Sequence, residues 1–160
     1  MLRRLEEKDI PFMLEWMHDD LINCYFRYPF ADMTPEKALD FIRHSFTEEN
    51  QHFAIVDDFD EYLGTISLKN ISTTDYNAEY AIVTRKKAHG TGIAQKATNE
   101  ILQYAFHELK LHRIYLNVLS KNVTARKLYE KCGFLFEGEA KDAVRINGRY
   151  QSLMWYAILN

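Results

Sequence analysis

A mixed α/β fold, with a mostly antiparallel sheet of about seven strands and about four helices, is predicted by three features of this sequence. Residues 51 to 84 are dense in β-branched and aromatic side chains broken by short polar turns, which describes a meander of strands. A long helical stripe then separates that meander from the next strand, as a crossover helix would. Asn147-Gly148, flanked by alternating apolar residues, is a strong hairpin signal at the C-terminal end.

A short strand is expected at Met1 to Leu5, then a helix from about Asp9 in which Ile10, Met13, Leu14 and Met17 recur at helical spacing. Asp19 to Met33 reads as irregular and carries Tyr25, Phe26, Tyr28 and Phe30. Thr34 supplies an N-cap oxygen and Pro35 the first helical position of a second helix. Its apolar face is expected to hold Ala38, Leu39, Ile42 and Phe46. Strands follow at His52 to Val56, Tyr62 to Asn70 and Asn77 to Thr84. A glycine-bearing turn at His89 to Gly92 opens a helix to about Leu109, with Ala97, Ile101, Leu102 and Ala105 in its buried stripe. His112 to Leu119 is the next strand, and Val123 to Lys131 a short helix stopped by Gly133. Phe134 to Arg145 and Arg149 to Leu159 complete the hairpin.

With 160 residues, 47% of them hydrophobic, and no Pro-, Gly- or Ser-rich linker, one domain over residues 1–160 is expected. A net charge of −3 offers no global attraction for nucleic acid or anionic lipid. No apolar window is long enough to span a bilayer and no leader-like segment is present, so a soluble cytoplasmic chain is expected. Cys24 and Cys132 lie far apart without metal-ligand spacing, and His18-Asp19-Asp20 is a solvated turn more readily than an ion site, so no metal is expected.

Two segments carry chemistry. In the first, a strand ending at Ile82-Val83-Thr84 leads through a basic turn with Lys86 and Lys87 into His89-Gly90-Thr91-Gly92-Ile93-Ala94 and a helix. Gly90 and Gly92 allow close backbone approach, and the free N–H groups at the helix start suit a phosphate. Neither the Walker loop nor the dinucleotide fingerprint is matched, and the same residues also describe a plain capped turn. The second segment is Asn122 to Phe134, in which Asn122 precedes a helix carrying Arg126 and Tyr129. Alone it reads as an ordinary amphipathic helix.

Taken together, the glycine turn, the helix, the strand and the pattern N-x-x-A-x-x-x-Y-x-x-x-G-F resemble the GCN5-related N-acetyltransferase (GNAT) family from about Gln51 to the C-terminus. Tyr104 to Leu116, Glu137-Gly138-Glu139 and Asn147 to Tyr150 look like the branch holding ribosomal-protein, polyamine and amino-sugar acetyltransferases. His89 departs from the Gln or Arg usual at the start of the family's pyrophosphate motif. The resemblance implies acetyl-CoA in a gap where the strand ending at Thr84 splays from that at His112 to Leu119. Ile82, Val83 and Thr84 would lie along the pantetheine, and Lys87, His89 to Ala94 and Arg126 near the phosphates. Asn122 would hydrogen-bond the pantetheine. Tyr129 is expected to act as general acid, since a phenol with a pKa of about 10 stays protonated at neutral pH. Glu79 is expected to act as base, working through a water, although a salt-bridged strand carboxylate describes it as well. The acceptor is expected to be a small-molecule amine, either an amino sugar, free or nucleotide-linked, or a polyamine. A protein N-terminus, or a CoA-binding domain without turnover, are the alternatives, and a homodimer is a possible assembly.

Overall fold

Three antiparallel strands form from the β-branched and aromatic stretch, β2 (Gln51–Val56), β3 (Tyr62–Ser72) and β4 (Asn77–Thr84), with β1 (Leu2–Arg4) added outside β2. The computed structural model describes residues 1–160. It continues with β5 (Arg113–Leu119), β6 (Leu135–Ile146) and β7 (Arg149–Leu159) to give one seven-stranded sheet in the order β1-β2-β3-β4-β5-β7-β6. Asn147 and Gly148 both adopt positive φ, +50° and +76°, as the hairpin turn between β6 and β7 requires.

Five α-helical segments flank the sheet: α1 (Ile10–Met17), α2 (Asp20–Asn23), α3 (Pro35–Arg43), α4 (Ile93–Gln103) and α5 (Val123–Lys131). On one face α4 and α5 cover Leu68, Tyr80, Ile114 and Leu116, all nearly or fully buried. On the other, α1, α2 and α3 bury Met13, Trp16, Ala38 and Tyr62. Thr34 caps α3 as expected, its Oγ1 accepting from the Lys37 N–H at 3.2 Å.

The structure corrects the expected elements in three places. Asp19 to Met33 is not wholly irregular: Asp19 accepts from the Leu21 N–H and starts α2, and a 3-10 turn spans Phe30–Asp32. Phe46 lies beyond α3, in an isolated bridge with Gln51, where the Arg4 guanidinium sits 3.3 Å from its ring centroid. The helix to Leu109 keeps α geometry only to Gln103, then widens to a π turn over Tyr104–Glu108. That widening seats Tyr104 against the Phe53 ring at 5.5 Å and lets its hydroxyl donate to Gln51 Oε1 at 2.8 Å.

The only parallel pair is β4 with β5, and it lasts for three rungs, Asn77↔Arg113, Ala78↔Ile114 and Glu79↔Tyr115. Beyond Glu79 the strands diverge, and Tyr80 to Thr84 pair with β3 alone. Gly64 lets β3 stay close to this free-edged segment: a Cβ there would collide with the Val83 carbonyl oxygen and lie 2.9 Å from Thr84 Cα. Gly64→Ala should therefore destabilise the chain by about 1–3 kcal/mol, read as a lower urea midpoint with an unchanged slope.

Candidate active site

The divergence of β4 and β5 leaves one edge of Tyr80 to Thr84, including Ile82 and Val83, without a strand partner. Such an edge can take an extended ligand as an added strand. At its end the chain turns through Lys86 to Gly92 into α4, with Gly90 at φ +74° and Gly92, the N-cap, at φ +80°. Thr91 ties the turn down, its Oγ1 donating to the Ala88 carbonyl at 2.6 Å and meeting the Ile93 N–H at 3.4 Å. Ala94 accepts from Thr98 Oγ1 at 2.7 Å. The N–H groups of Gly90, Gly92, Ala94 and Gln95 have no acceptor within the chain. A Cβ on Gly90 or Gly92 would meet nothing within 4 Å, so the cradle is open as well as rich in donors. These features fit a pyrophosphate.

The side chains expected beside the phosphates divide. His89 is exposed and makes no hydrogen bond through its ring. Lys87 is held by Glu61 at 2.8 Å. Arg126 donates to the Tyr156 hydroxyl at 3.2 Å and to the Ser120 carbonyl at 3.1 Å. Lys87 and Arg126 must therefore exchange existing partners to reach a phosphate, whereas the N–H groups of Gly90, Gly92, Ala94 and Gln95 are free of partners already. Asn122 caps α5 through Oδ1, which accepts from the Ala125 N–H at 3.3 Å, and its amide NH2 stays free to donate.

Tyr129 on α5 is buried, with its ring edge-on to Tyr80 at 5.8 Å and to Phe134 at 6.0 Å. Tyr80 is the first residue past the last parallel rung, so Tyr129 stands where the two strands part. The two hydroxyls differ. That of Tyr80 bonds Thr98 Oγ1 at 2.7 Å, whereas that of Tyr129 has no partner in the chain. No side-chain polar atom sealed from solvent lacks a partner, so the Tyr129 hydroxyl reaches accessible space. Burial raises its pKa above the ordinary phenol value, with the Cys132 thiol adding to the rise, and the group stays protonated throughout the physiological range.

Glu79 sits on the final rung of the parallel pair. Its carboxylate accepts from Lys69 Nζ at 3.3 Å and from Asn70 Nδ2 at 3.0 Å, so it is the ion-paired strand carboxylate of the second description, and it lies next in sequence to the free-edged segment that starts at Tyr80.

A cavity of about 870 Å³ lies between the sheet and the α1–α3 layer, and what the sequence did not show is its lining from β2 and β3. It borders β4 at Ala81, Ile82 and Val83, so it meets the free edge from the opposite face to α5. Thr65, Ser67 and Lys69 of β3 line its floor with His52 of β2, and Phe26, Tyr28 and Phe30 line it from the loop. The available signal was the polar residue at every second position, Thr65, Ser67 and Lys69, in a strand flanked on both sides by others. Trp16 Nε1 donates to the Tyr62 hydroxyl at 2.9 Å, which bonds Thr65 Oγ1 at 2.7 Å and so fixes the cavity wall. Arg85, also missed, is 6% exposed and bridges Glu15 of α1 at 2.6 Å, Glu61 at 2.7 Å and the Tyr62 carbonyl at 2.9 Å, locking α1 to the end of β4.

His52 Nδ1 bonds Ser67 Oγ at 2.7 Å, and its ring packs against Phe41 at 4.8 Å. Burial, reinforced by the Lys69 charge, pushes it down from 6.5 to about 4, so the cavity presents a neutral imidazole. The unfolded ring takes up a proton that the folded ring refuses. This contribution is therefore intact above the unfolded value of 6.5 and is lost as pH falls toward about 4. Between pH 7.5 and 4.5 the wild type should lose about 2–3 kcal/mol more stability than His52→Gln, measured by urea unfolding at both pH values.

Comparison with known proteins agrees with this geometry. The family model described as an acetyltransferase (GNAT) domain matches residues 1–135. A spermidine N(1)-acetyltransferase of Vibrio cholerae is 31% identical over 159 residues, covering 99% of this chain and 91% of that protein. The acetyltransferase PseH of Campylobacter jejuni is 30% identical over 139 residues, 86% of this chain and 84% of the relative. The crystal structure of spermidine N-acetyltransferase from Vibrio cholerae in complex with CoA and spermine superposes with a TM-score of 0.90 at 32% identity, covering 99% of this chain and 94% of that one.

Proposed function

The chain belongs to the GNAT family of acetyl-CoA-dependent N-acetyltransferases, and from that premise we propose that residues 1–160 act as one domain that acetylates the primary amine of a small molecule, with both substrates bound together. The observation that supports this reading is the meeting of two spaces at β4. A donor-lined cleft lies on the α5 side, and a cavity of small-molecule size opens on the α1–α3 side at Ala81 to Val83.

Acetyl-CoA supplies the acyl group as an activated thioester. Backbone N–H groups of Gly90, Gly92, Ala94 and Gln95 hold its pyrophosphate, Asn122 and the free edge of β4 hold the pantetheine, and an N–H near Ile82 polarises the carbonyl. Tyr129 gives its proton to the departing sulfur, a role suited to a hydroxyl that is protonated, accessible and free of competing partners. Glu79, held by Lys69 and Asn70, accepts the proton of the attacking amine through a water.

We also place a second copy of the chain at the β6 end of the sheet. There β6 is an unpaired edge, and Leu135, Phe136 and Leu159 are 73%, 55% and 59% exposed. No helix is long and apolar enough to cross a membrane, and the cytoplasm is the compartment proposed.

Release of CoA thiol from acetyl-CoA, followed across polyamines, amino sugars, nucleotide-linked amino sugars and N-terminal peptides, tests the reading. A small amine should give saturable turnover. Preference for a peptide N-terminus over every small amine would overturn the acceptor, and absence of turnover with any amine would leave a binding domain.

A further inference from the structure

We infer that Lys69 is an internal competitor for the acceptor: in the free protein its ammonium occupies Glu79, and the incoming amine must displace it. The inference rests on the reading above that the acceptor nitrogen is drawn to Glu79, and it holds for any acceptor that arrives as an ammonium. The first observation is how Glu79 is held. Its two oxygens have different partners, Oε1 accepting from Lys69 Nζ at 3.3 Å and Oε2 from Asn70 Nδ2 at 3.0 Å. Asn70 is fixed in place, with φ at +51° and its N–H bound to Asn50 Oδ1 at 3.2 Å. Lys69 brings the only cation within ion-pairing distance of Glu79, on a flexible four-carbon stem. The side chains of this pair are 34% and 20% exposed, so the lysine can leave while the asparagine keeps the carboxylate oriented.

The second observation is where the pair stands. Lys69 and Glu79 are directly opposite on β3 and β4, so they share a face with the next pairs on it, Ser67↔Ala81 and Thr65↔Val83. All of these residues line the α1–α3 cavity except Glu79. On the cavity side the carboxylate is therefore screened by its own ion-pair partner, and the Lys69 charge is also felt at the His52 ring on the same floor. A partly buried carboxylate without a counter-ion is costly, and the lysine removes that cost until the acceptor brings an equivalent charge. Exchange of one ammonium for another keeps the charge of the site constant, and Glu36 and Asp40 line the same cavity as partners for the displaced lysine. Acetylation turns the acceptor nitrogen into an uncharged amide. Once its proton has passed from Glu79 to solvent, the amide no longer competes, Lys69 returns and the product loses its hold.

The test is calorimetric, on the CoA-loaded protein, and needs no turnover. The ligands are spermidine and glucosamine, each beside its fully N-acetylated, uncharged form. Lys69→Met should lower the Kd of the tighter-binding amine about threefold to fivefold and leave that of its uncharged form as in the wild type. Lys69→Arg keeps the cation and should bring no tightening. In a Glu79→Gln background Lys69→Met should also bring none, because the two residues act through their mutual contact. Amine binding that is unchanged or weaker in Lys69→Met would overturn the inference, the weaker case making Lys69 a contact of the acceptor. Equal tightening of the amine and its uncharged form, or tightening that survives in Glu79→Gln, would overturn it as well, since the gain would then come from the shorter reach of the new side chain. The two claims fail separately: release of no CoA thiol by the wild type with any amine contradicts the acetyltransferase reading, whereas these dissociation constants alone decide the role of Lys69.

Discussion

Tyr129→Phe is expected to lower kcat about 10²–10³-fold while the Kd for acetyl-CoA stays within about twofold. The substitution removes one oxygen and keeps the ring that packs against Tyr80, Phe134 and Tyr156. Because that oxygen has no hydrogen-bond partner in the chain, its removal orphans nothing and should change stability by less than about 1 kcal/mol. A loss of rate with stability preserved therefore reports the proton and not the fold. The deficit should shrink when acetyl is presented on a thiol of lower pKa, whose thiolate leaves with less need of a proton. Stopped-assay kinetics with acetyl-CoA and with an acetylated aryl thiol give the comparison. A deficit equal for both thioesters would remove the acid role, and wild-type turnover in Tyr129→Phe would remove Tyr129 from the mechanism.

Gly92→Glu should raise the Kd for CoA about 100-fold, equivalent to about 2.7 kcal/mol. Two effects add. A residue with a Cβ is strained at φ +80°, by about 1–2 kcal/mol, so the turn relaxes away from the geometry that aims its N–H groups. The new carboxylate also extends into the open space where a phosphate would sit. Gly148 separates these from a general effect of strain and charge, since it has φ +76° and equally open surroundings but lies in the β6–β7 turn. Gly148→Glu should destabilise the hairpin to a similar degree and leave CoA binding unchanged. Titration calorimetry of both variants against wild type decides the matter.

How much of this could be read in the sequence follows the distance over which each feature is set. Thr34 capping α3, Gly92 opening α4, Asn122 opening α5 and Asn147-Gly148 closing the hairpin are decisions made within a few residues, and the structure repeats them. The π turn after Gln103 was not readable, because it depends on Phe53 and Gln51 packing against Tyr104 across the sheet. The same limit separates the two sides of the site. The turn proposed to cradle the cofactor is continuous in sequence from His89 to Ala94. The cavity proposed for the acceptor is assembled from α1, the loop around Tyr28, α3 and three strands, and only the sheet register brings His52 opposite Ser67 and Ser67 opposite Ala81. Long-range partners likewise decide which charges are free: Glu61 holds Lys87, and Tyr156 holds Arg126.

CoA is proposed to bind in the gap beyond the Glu79↔Tyr115 rung, with its phosphates at the turn into α4. Amide hydrogen exchange, resolved by residue with and without saturating CoA, tests it most directly. The N–H groups of Gly90, Gly92, Ala94 and Gln95 have no acceptor in the chain and should exchange fast in the free protein. Adding CoA should slow these four, together with amides along the free edge of Tyr80 to Thr84, and leave the exposed face of β6 unchanged. Slowing confined to other segments, with these amides exchanging as fast as before at saturating CoA, would contradict the account.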